Sequence, residues 1–240
     1  MAFDSSPRGV SGKIKGSALW RDNGKATVLG NMSSHTDGAV TPDRYDVRKA
    51  RPTQAVTLAG TLAKAFYDDP LFTWLLPDAS RRLAIAGRGF ELYLKEVWLR
   101  HEETYTVGDS AGVCVWEPPG TWKLAVREQI ALLPAMLRIF GRNLPRLLGT
   151  LNAVEKNHPT EPHHYLAFVG VDPESQGRGM GSILMHPVLR RCDAEGLPAY
   201  LEASAPRNRE LYERHGFEVT EEIRPGRGGP PMWRMWRDPR

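Results

Sequence analysis

Over residues 1–44 the apolar positions are sparse and follow no period, with Trp20 and Val28-Leu29 the only anchors among Gly, Ser, Asn and Asp. So little apolar surface cannot offset the entropy of ordering a chain, and the stretch reads as a mobile extension ahead of one domain at 45–240. From Tyr45 a pattern sets in. Tyr45–Ala50 alternates as a half-buried strand does, and Val56, Ala59, Leu62, Ala63 and Phe66 then recur at helical spacing until Asp68-Asp69-Pro70 ends the run. Leu71–Leu76 is a short aromatic and apolar piece, and Leu83, Phe90, Leu94, Val97 and Trp98 mark an amphipathic helix over Arg81–Arg100. Thr104–Val107 and Ala111–Trp116 read as strands joined by a Gly108-Asp109-Ser110 turn, and Glu117-Pro118-Pro119-Gly120 breaks the sheet. Trp122–Val154 is Leu-rich but interrupted at Pro134, Gly141, Pro145 and Gly149, which predicts two or three short helices, and His158–Pro162 is a loop.

The second half is more regular. Tyr165–Val171 is continuously apolar, aromatic and β-branched, the pattern of a buried strand. Asp172-Pro173 stops it, a run Gln176-Gly177-Arg178-Gly179-Met180-Gly181 follows, and Met180, Ile183, Leu184 and Val188 then repeat at helical spacing. Gly196-Leu197-Pro198 ends that helix; a strand at Ala199–Ser204, a short helix at Pro206–His215 and strands at Phe217–Ile223 and Met232–Arg237 complete an α/β (α+β) chain.

A strand, a glycine-rich turn and a helix start together make an anion cradle. The first N–H groups of a helix lack internal partners, the helix dipole adds positive charge there, and glycines allow close approach and positive φ. Arg178 adds a fixed charge. Two common nucleotide loops fit poorly. There is no Walker Gly-x-x-x-x-Gly-Lys-Ser/Thr run, and the glycines at 177, 179 and 181 give Gly-x-Gly-x-Gly rather than the dinucleotide Gly-x-Gly-x-x-Gly, although Glu202 sits near where a ribose-binding acid would stand.

The spacing Gln-x-x-Gly-x-Gly at Gln176, Gly179 and Gly181 resembles the pyrophosphate loop of the GNAT superfamily of N-acetyltransferases. Asn208, Tyr212 and Gly216-Phe217, in NRELYERHGF, are similar to a later segment of that family, and three stretches between Leu166 and Thr220 resemble puromycin N-acetyltransferase-like members. The likeness spans about Tyr45–Arg240 and is faint before Val107. It implies a mixed, twisted central sheet, flanked by helices, whose fourth and fifth strands splay to admit acetyl-CoA as acetyl donor. By the same likeness, backbone groups of Phe168, Val169 and Val171 pair with the pantetheine arm. Gln176, Gly177, Arg178, Gly179, Met180, Gly181 and Ser182 hold the pyrophosphate, and Asn208 reaches the pantetheine or merely starts its helix.

Amide formation from a thioester needs a neutral amine, a stabilised oxyanion and a protonated leaving thiolate. Tyr212 is the expected acid by resemblance, with Glu202 the expected base, His164 a second candidate, and the N–H of Val169 or Val171 the oxyanion donor. The acceptor, a primary amine of a small molecule, is expected against Phe66, Tyr67, Asp68, Asp69, Phe72, Trp74 and Trp116, where paired carboxylates beside aromatics suit a cation with an apolar body. A protein or peptide N-acetyltransferase and a non-catalytic acyl-CoA sensor are the alternative readings.

Composition narrows these expectations only slightly. The net charge of +4 suits a polyanionic co-substrate, and the absence of a dense Lys/Arg run speaks against nucleic acid. Cys114 and Cys192 read as buried free thiols in a reducing cytoplasm, and the His residues at 158, 163 and 164 lack zinc-site spacing, so no metal is expected. No apolar run reaches the ~20 residues of a membrane span and no signal-peptide pattern opens the chain, so the expected place is cytoplasmic, as monomer or homodimer.

Overall fold

The computed structural model describes residues 45–240 except Arg227. The mobile extension expected at 1–44 lies outside the described residues. A seven-stranded sheet organises the rest, in the order β1-β2-β3-β4-β5-β7-β6. The strands are β1 (Val47–Lys49), β2 (Thr104–Val107), β3 (Gly112–Glu117), β4 (His164–Val171), β5 (Ala199–Ala203), β6 (Glu218–Ile223) and β7 (Met232–Arg237). Every pairing is antiparallel except β4 with β5. That parallel pair is joined only at His164↔Ala199 and Tyr165↔Tyr200, so the two strands part after their first residues. The expected splay is therefore present.

Side-chain alternation divides the core in two. Val113 and Val115 of β3 join α1 (Ala55–Ala65), α2 (Pro70–Leu75), α3 (Ala79–Tyr93), α4 (Val126–Phe140) and α5 (Leu144–Asn157) on one face. Cys114 and Trp116 face the other way, onto α6 (Met180–Glu195) and α7 (Pro206–Arg214). This follows from the period of two along a strand.

Two local irregularities shape the interior. In the β3–β4 ladder the register jumps from Val115↔Phe168 to Trp116↔Leu166, leaving Ala167 as an extra residue. This bulge turns both Ala167 and Phe168 toward the α1–α5 side, where both pack. The second is at the end of α3. The sequence predicts one helix to Arg100; the structure ends α3 at Tyr93 and continues it as a π-helical turn, Leu94–Trp98, and a 3-10 turn, Leu99–His101. The wider turn seats Trp98 so that its Nε1–H donates to Glu117 Oε1 at 2.9 Å. Gly170 explains how closely α1 lies on β4: a Cβ there would stand 2.9 Å from the Ala65 Cβ.

Candidate active site

The glycine-rich turn follows β4 directly. Asp172 caps a short 3-10 turn, Pro173–Ser175, accepting from the Glu174 N–H, and its Oδ2 pairs with Lys64 at 2.9 Å. Gln176 folds back, its Nε2 donating to the Val171 carbonyl at 3.0 Å, so this side chain fastens the loop to the strand end. Gly177 and Gly179 both have positive φ, +75° and +78°, a conformation that L side chains rarely adopt. Nothing lies within 4 Å of where a Gly177 Cβ would be, and Gly179 is the N-cap of α6. The amides of Met180, Gly181 and Ser182 therefore open α6 without helical partners, beside Arg178, and fit a pyrophosphate.

Beyond this turn lies a cavity of about 590 Å³ between the α1–α5 layer and the sheet, reaching the β4–β5 opening. Phe168 and Val169 of β4, Glu202 of β5, Ser204 just after it, and Tyr212 of α7 all border it. Tyr212 approaches from the α6–α7 side and packs edge-on to Phe217 at 6.1 Å between ring centroids. Burial, with lesser effects of Cys114 and Asp69, raises its hydroxyl pKa, so the proton stays on it at neutral pH.

Glu202 is the most unusual group here. Its side chain is 3 % exposed. Oε2 accepts from the Tyr165 hydroxyl at 2.8 Å, whereas Oε1 has no hydrogen-bond partner among the described residues. Burial pushes its pKa up to about 7, against the opposing pull of its hydrogen bonds and of Arg234. Glu117, paired with Tyr165 across β3 and β4, borders the same cavity. It is 5 % exposed, its Oε2 is unpartnered among the described residues, and burial with the nearby Glu202 charge pushes its pKa to about 8. Strand geometry did not reveal this residue in the sequence, where it read as the start of a sheet-breaking run.

His158 lies on the far side of Glu202. Its ring stacks on Trp122 with centroids 3.7 Å apart. Hydrogen bonding fixes the tautomers of two histidines. His163 Nδ1 stands 2.6 Å from the Glu161 carbonyl, which can only accept, so Nδ1 carries the proton. Its Nε2, 3.0 Å from His158 Nε2, then accepts from it, burial holding both rings neutral. That leaves His158 Nδ1 with a lone pair 3.9 Å from Glu202 Oε1, beyond hydrogen-bond distance, and both atoms are without a partner among the described residues. The loop reading of 158–162 gave no hint of this contact.

The structure distributes the expected acceptor residues unequally. Phe66 and Phe72 border the cavity, in an aromatic cluster with Phe90, Trp98 and Phe168; the Phe66 and Phe168 centroids are 5.5 Å apart. The remaining expected positions do not border the cavity. Trp116 is fully buried on the opposite sheet face, because β3 alternation sends it there. Asp69 caps α2, accepting from the Leu71 and Phe72 amides, and takes the Ser204 hydroxyl at 2.6 Å, so its oxygens are committed. Asp68 is not among the residues bordering the cavity, and Tyr67 donates to the Ala79 carbonyl and lies under Arg82. Trp74 stacks with Arg146, away from the cavity wall. His164 Nε2 meets Glu195 at 3.3 Å, also away from that wall. Asn208 sits in the first turn of α7, its N–H on the Ala205 carbonyl. Among the described residues no cluster of three metal-ligating side chains occurs, and no helix is long and apolar enough to cross a membrane.

Comparison with known proteins decides the family. Residues 96–217 match the acetyltransferase (GNAT) family. An uncharacterized N-acetyltransferase of Schizosaccharomyces pombe is 33 % identical over 177 residues, covering 69 % of this chain and 71 % of that protein. This chain belongs to the GNAT acetyltransferase family. The acetyltransferase also superposes on a solved structure described as histone acetyltransferase HPA2 and related acetyltransferase from Corynebacterium glutamicum, with TM-score 0.63 and 26 % identity over 82 % of this chain and 97 % of that one. A Drosophila melanogaster polyamine N-acetyltransferase (TM-score 0.54, 15 % identity, 81 % and 99 % covered) shares the fold. So does an Aedes aegypti arylalkylamine N-acetyltransferase (TM-score 0.52, 12 % identity, 81 % and 99 % covered). The enzyme is thus an N-acetyltransferase of a family that takes its acetyl group from acetyl-CoA.

Proposed function

We propose that this acetyltransferase moves the acetyl group of acetyl-CoA to a primary amine of a small molecule, within the cavity bordered by Glu202 and Tyr212. The observation that supports this most is that both side chains, from opposite faces of the sheet, border one cavity at the point where β4 and β5 part. In this reading the loop from Gln176 to Ser182 binds the pyrophosphate. The β4 edge at Phe168, Val169 and Val171, with Asn208, guides the pantetheine, and Val169 or Val171 offers an N–H to the thioester oxygen as it becomes negative.

Glu202 takes a proton from the bound ammonium, leaving a neutral amine. The amine nitrogen adds to the thioester carbon, forming the C–N bond as the carbonyl π pair moves onto oxygen, and the C–S bond breaks as the carbonyl re-forms. Tyr212 gives its proton to the departing thiolate and is reprotonated from the second proton lost by nitrogen, through solvent. The balance is RNH₃⁺ and acetyl-CoA giving the N-acetyl amine, free CoA thiol and one proton, which Glu202 releases. Its Oε1, unpartnered among the described residues, and its pKa of about 7 suit a base that must load and unload near neutrality.

The depth of the carboxyls, both buried, favours a small amine over a peptide lying in an open groove. The likeness of the glycine loop and the Tyr212 segment to puromycin N-acetyltransferase-like members puts puromycin in the first amine panel. Thermal unfolding with and without acetyl-CoA, with NAD as control, tests the donor. At 100 times its Kd a ligand adds ~2.7 kcal/mol. A midpoint raised by acetyl-CoA alone is expected; no rise at millimolar acetyl-CoA would overturn the proposal.

A further inference from the structure

The open end of the cavity is unusually apolar. α4 places Val126, Ile130, Leu133 and Leu137 at spacings of four, three and four, and all are exposed, Val126 by 71 % and Ile130 by 64 %. Leu148 and Leu151 of α5 are exposed too. A surface helix in this fold should turn such a stripe inward. Apart from Leu137, these same residues border the cavity, together with the buried Glu117 and Glu202. The stripe is therefore the mouth of a passage whose inner end holds two carboxyls, and not an isolated patch.

The inner end asks for a cation. Glu117 Oε2 and Glu202 Oε1 are buried with no hydrogen-bond partner among the described residues. Buried polar atoms rarely stay unsatisfied. An ammonium offers three donors and a positive charge that favours both ionised carboxylates. The passage between the ends asks for hydrocarbon. Phe66, Phe90, Leu132 and Met136 line it, and a polar body there would lose its water without gaining partners. Lys123 and Glu155, the ion pair on this wall, already neutralise each other.

Resting on the acetyl-transfer reading above, we propose that the acceptor is an amphiphilic primary amine, its ammonium held between Glu117 and Glu202 and its apolar chain running out between α4 and α5. Polyamines and sugar amines, which carry further polar groups along the body, fit this passage poorly.

The test is kcat/KM for butylamine, hexylamine and octylamine at submillimolar concentration, beside agmatine as a polar amine, read as thiol release from acetyl-CoA. A fully buried methylene favours binding about fourfold, so a half-covered chain should gain about twofold per methylene, or on the order of tenfold from butyl to octyl. Ile130→Asp, at an exposed position where folding is not at risk, should lower the octylamine value several-fold more than the butylamine value. Glu117→Gln should raise KM for every amine more than it lowers kcat. Efficient acetylation of butylamine and agmatine with no gain from chain length would overturn the inference while acetyl transfer itself stands. No thiol release with any amine would overturn both. Sedimentation showing a species of twice 26.9 kDa that Ile130→Asp dissociates would assign the mouth to a second copy and overturn the inference.

Discussion

Replacing Glu117 by glutamine should make the protein more stable in mild alkali and leave it little changed in mild acid. The folded carboxyl keeps its proton to about pH 8 because burial raises its pKa, whereas in the unfolded chain it ionises near its ordinary 4.5. Its contribution to stability is therefore fully present below the unfolded value and is lost as pH rises through the folded one. Each tenfold difference in proton affinity is ~1.4 kcal/mol, so full ionisation of this group costs the fold on the order of 5 kcal/mol. Water entry and side-chain movement return part of that, leaving about 2–4 kcal/mol at about pH 8.5. The amide introduced by Glu117→Gln would keep an oxygen to accept the Trp98 Nε1–H and would carry no charge. For a domain of this size the gain corresponds to a midpoint higher by roughly 5–10 °C. The assay is thermal unfolding by circular dichroism, without ligands, at about pH 5.5, 7 and 8.5. Wild type should lose stability relative to the variant along that series. Parallel curves would mean that Glu117 ionises at its ordinary pKa, and the claim of two strained carboxyls in the cavity would fall.

Three further outcomes follow from the same geometry. Tyr212→Phe keeps the edge-on contact with Phe217 but removes the proton, and should lower kcat about 10²-fold with little change in the acetyl-CoA KM; an unchanged kcat would assign Tyr212 to packing alone. Gly170→Ala forces a Cβ to 2.9 Å from Ala65, so α1 must shift, at about 1–3 kcal/mol; differential scanning calorimetry should show a midpoint lower by about 3–8 °C, and no drop would show the α1–β4 contact to be loose. Gly179→Val places a β-branched residue at φ +78° ahead of α6 and should raise the acetyl-CoA KM about tenfold or more while the amine KM holds; equal effects on both would separate this turn from donor binding.

The order of strands and helices was legible because hydrophobic period is a local property. The strand at His164–Val171, the turn at Gln176–Gly181 and the helix behind it stand almost where the periodicity puts them. Glu202 was singled out through the family resemblance and not through the hydrophobic pattern; it stands in the strand Ala199–Ala203 and borders the cavity. Glu117 was not singled out, for a glutamate followed by two prolines reads as the end of a strand, and only the face on which that strand ends shows it to the cavity. Asp68 and Asp69 misled for a related reason. A carboxylate before a proline and an apolar run is equally a helix cap, and the cap won at Asp69. Trp116 was placed by type and not by parity; counting inward and outward from Val115 would have sent it to the other face. The π-helical turn at Leu94–Trp98 left no trace in the apolar spacing, because Phe90, Leu94 and Trp98 fall four apart and Leu94 and Val97 three apart, as they would in an α-helix.

The most direct test of the central claim is the pH dependence of thiol release from acetyl-CoA, measured with octylamine for wild type and for Glu202→Gln. If Glu202 accepts the amine's proton, wild-type kcat/KM rises with pH through about 7, where the carboxyl ionises, and Glu202→Gln loses about 10²–10⁴-fold of the rate together with that rise. A variant that keeps the wild-type rate and the wild-type pH profile would contradict the account, for the acetyl group would then be moving to its acceptor without the residue on which the site is built.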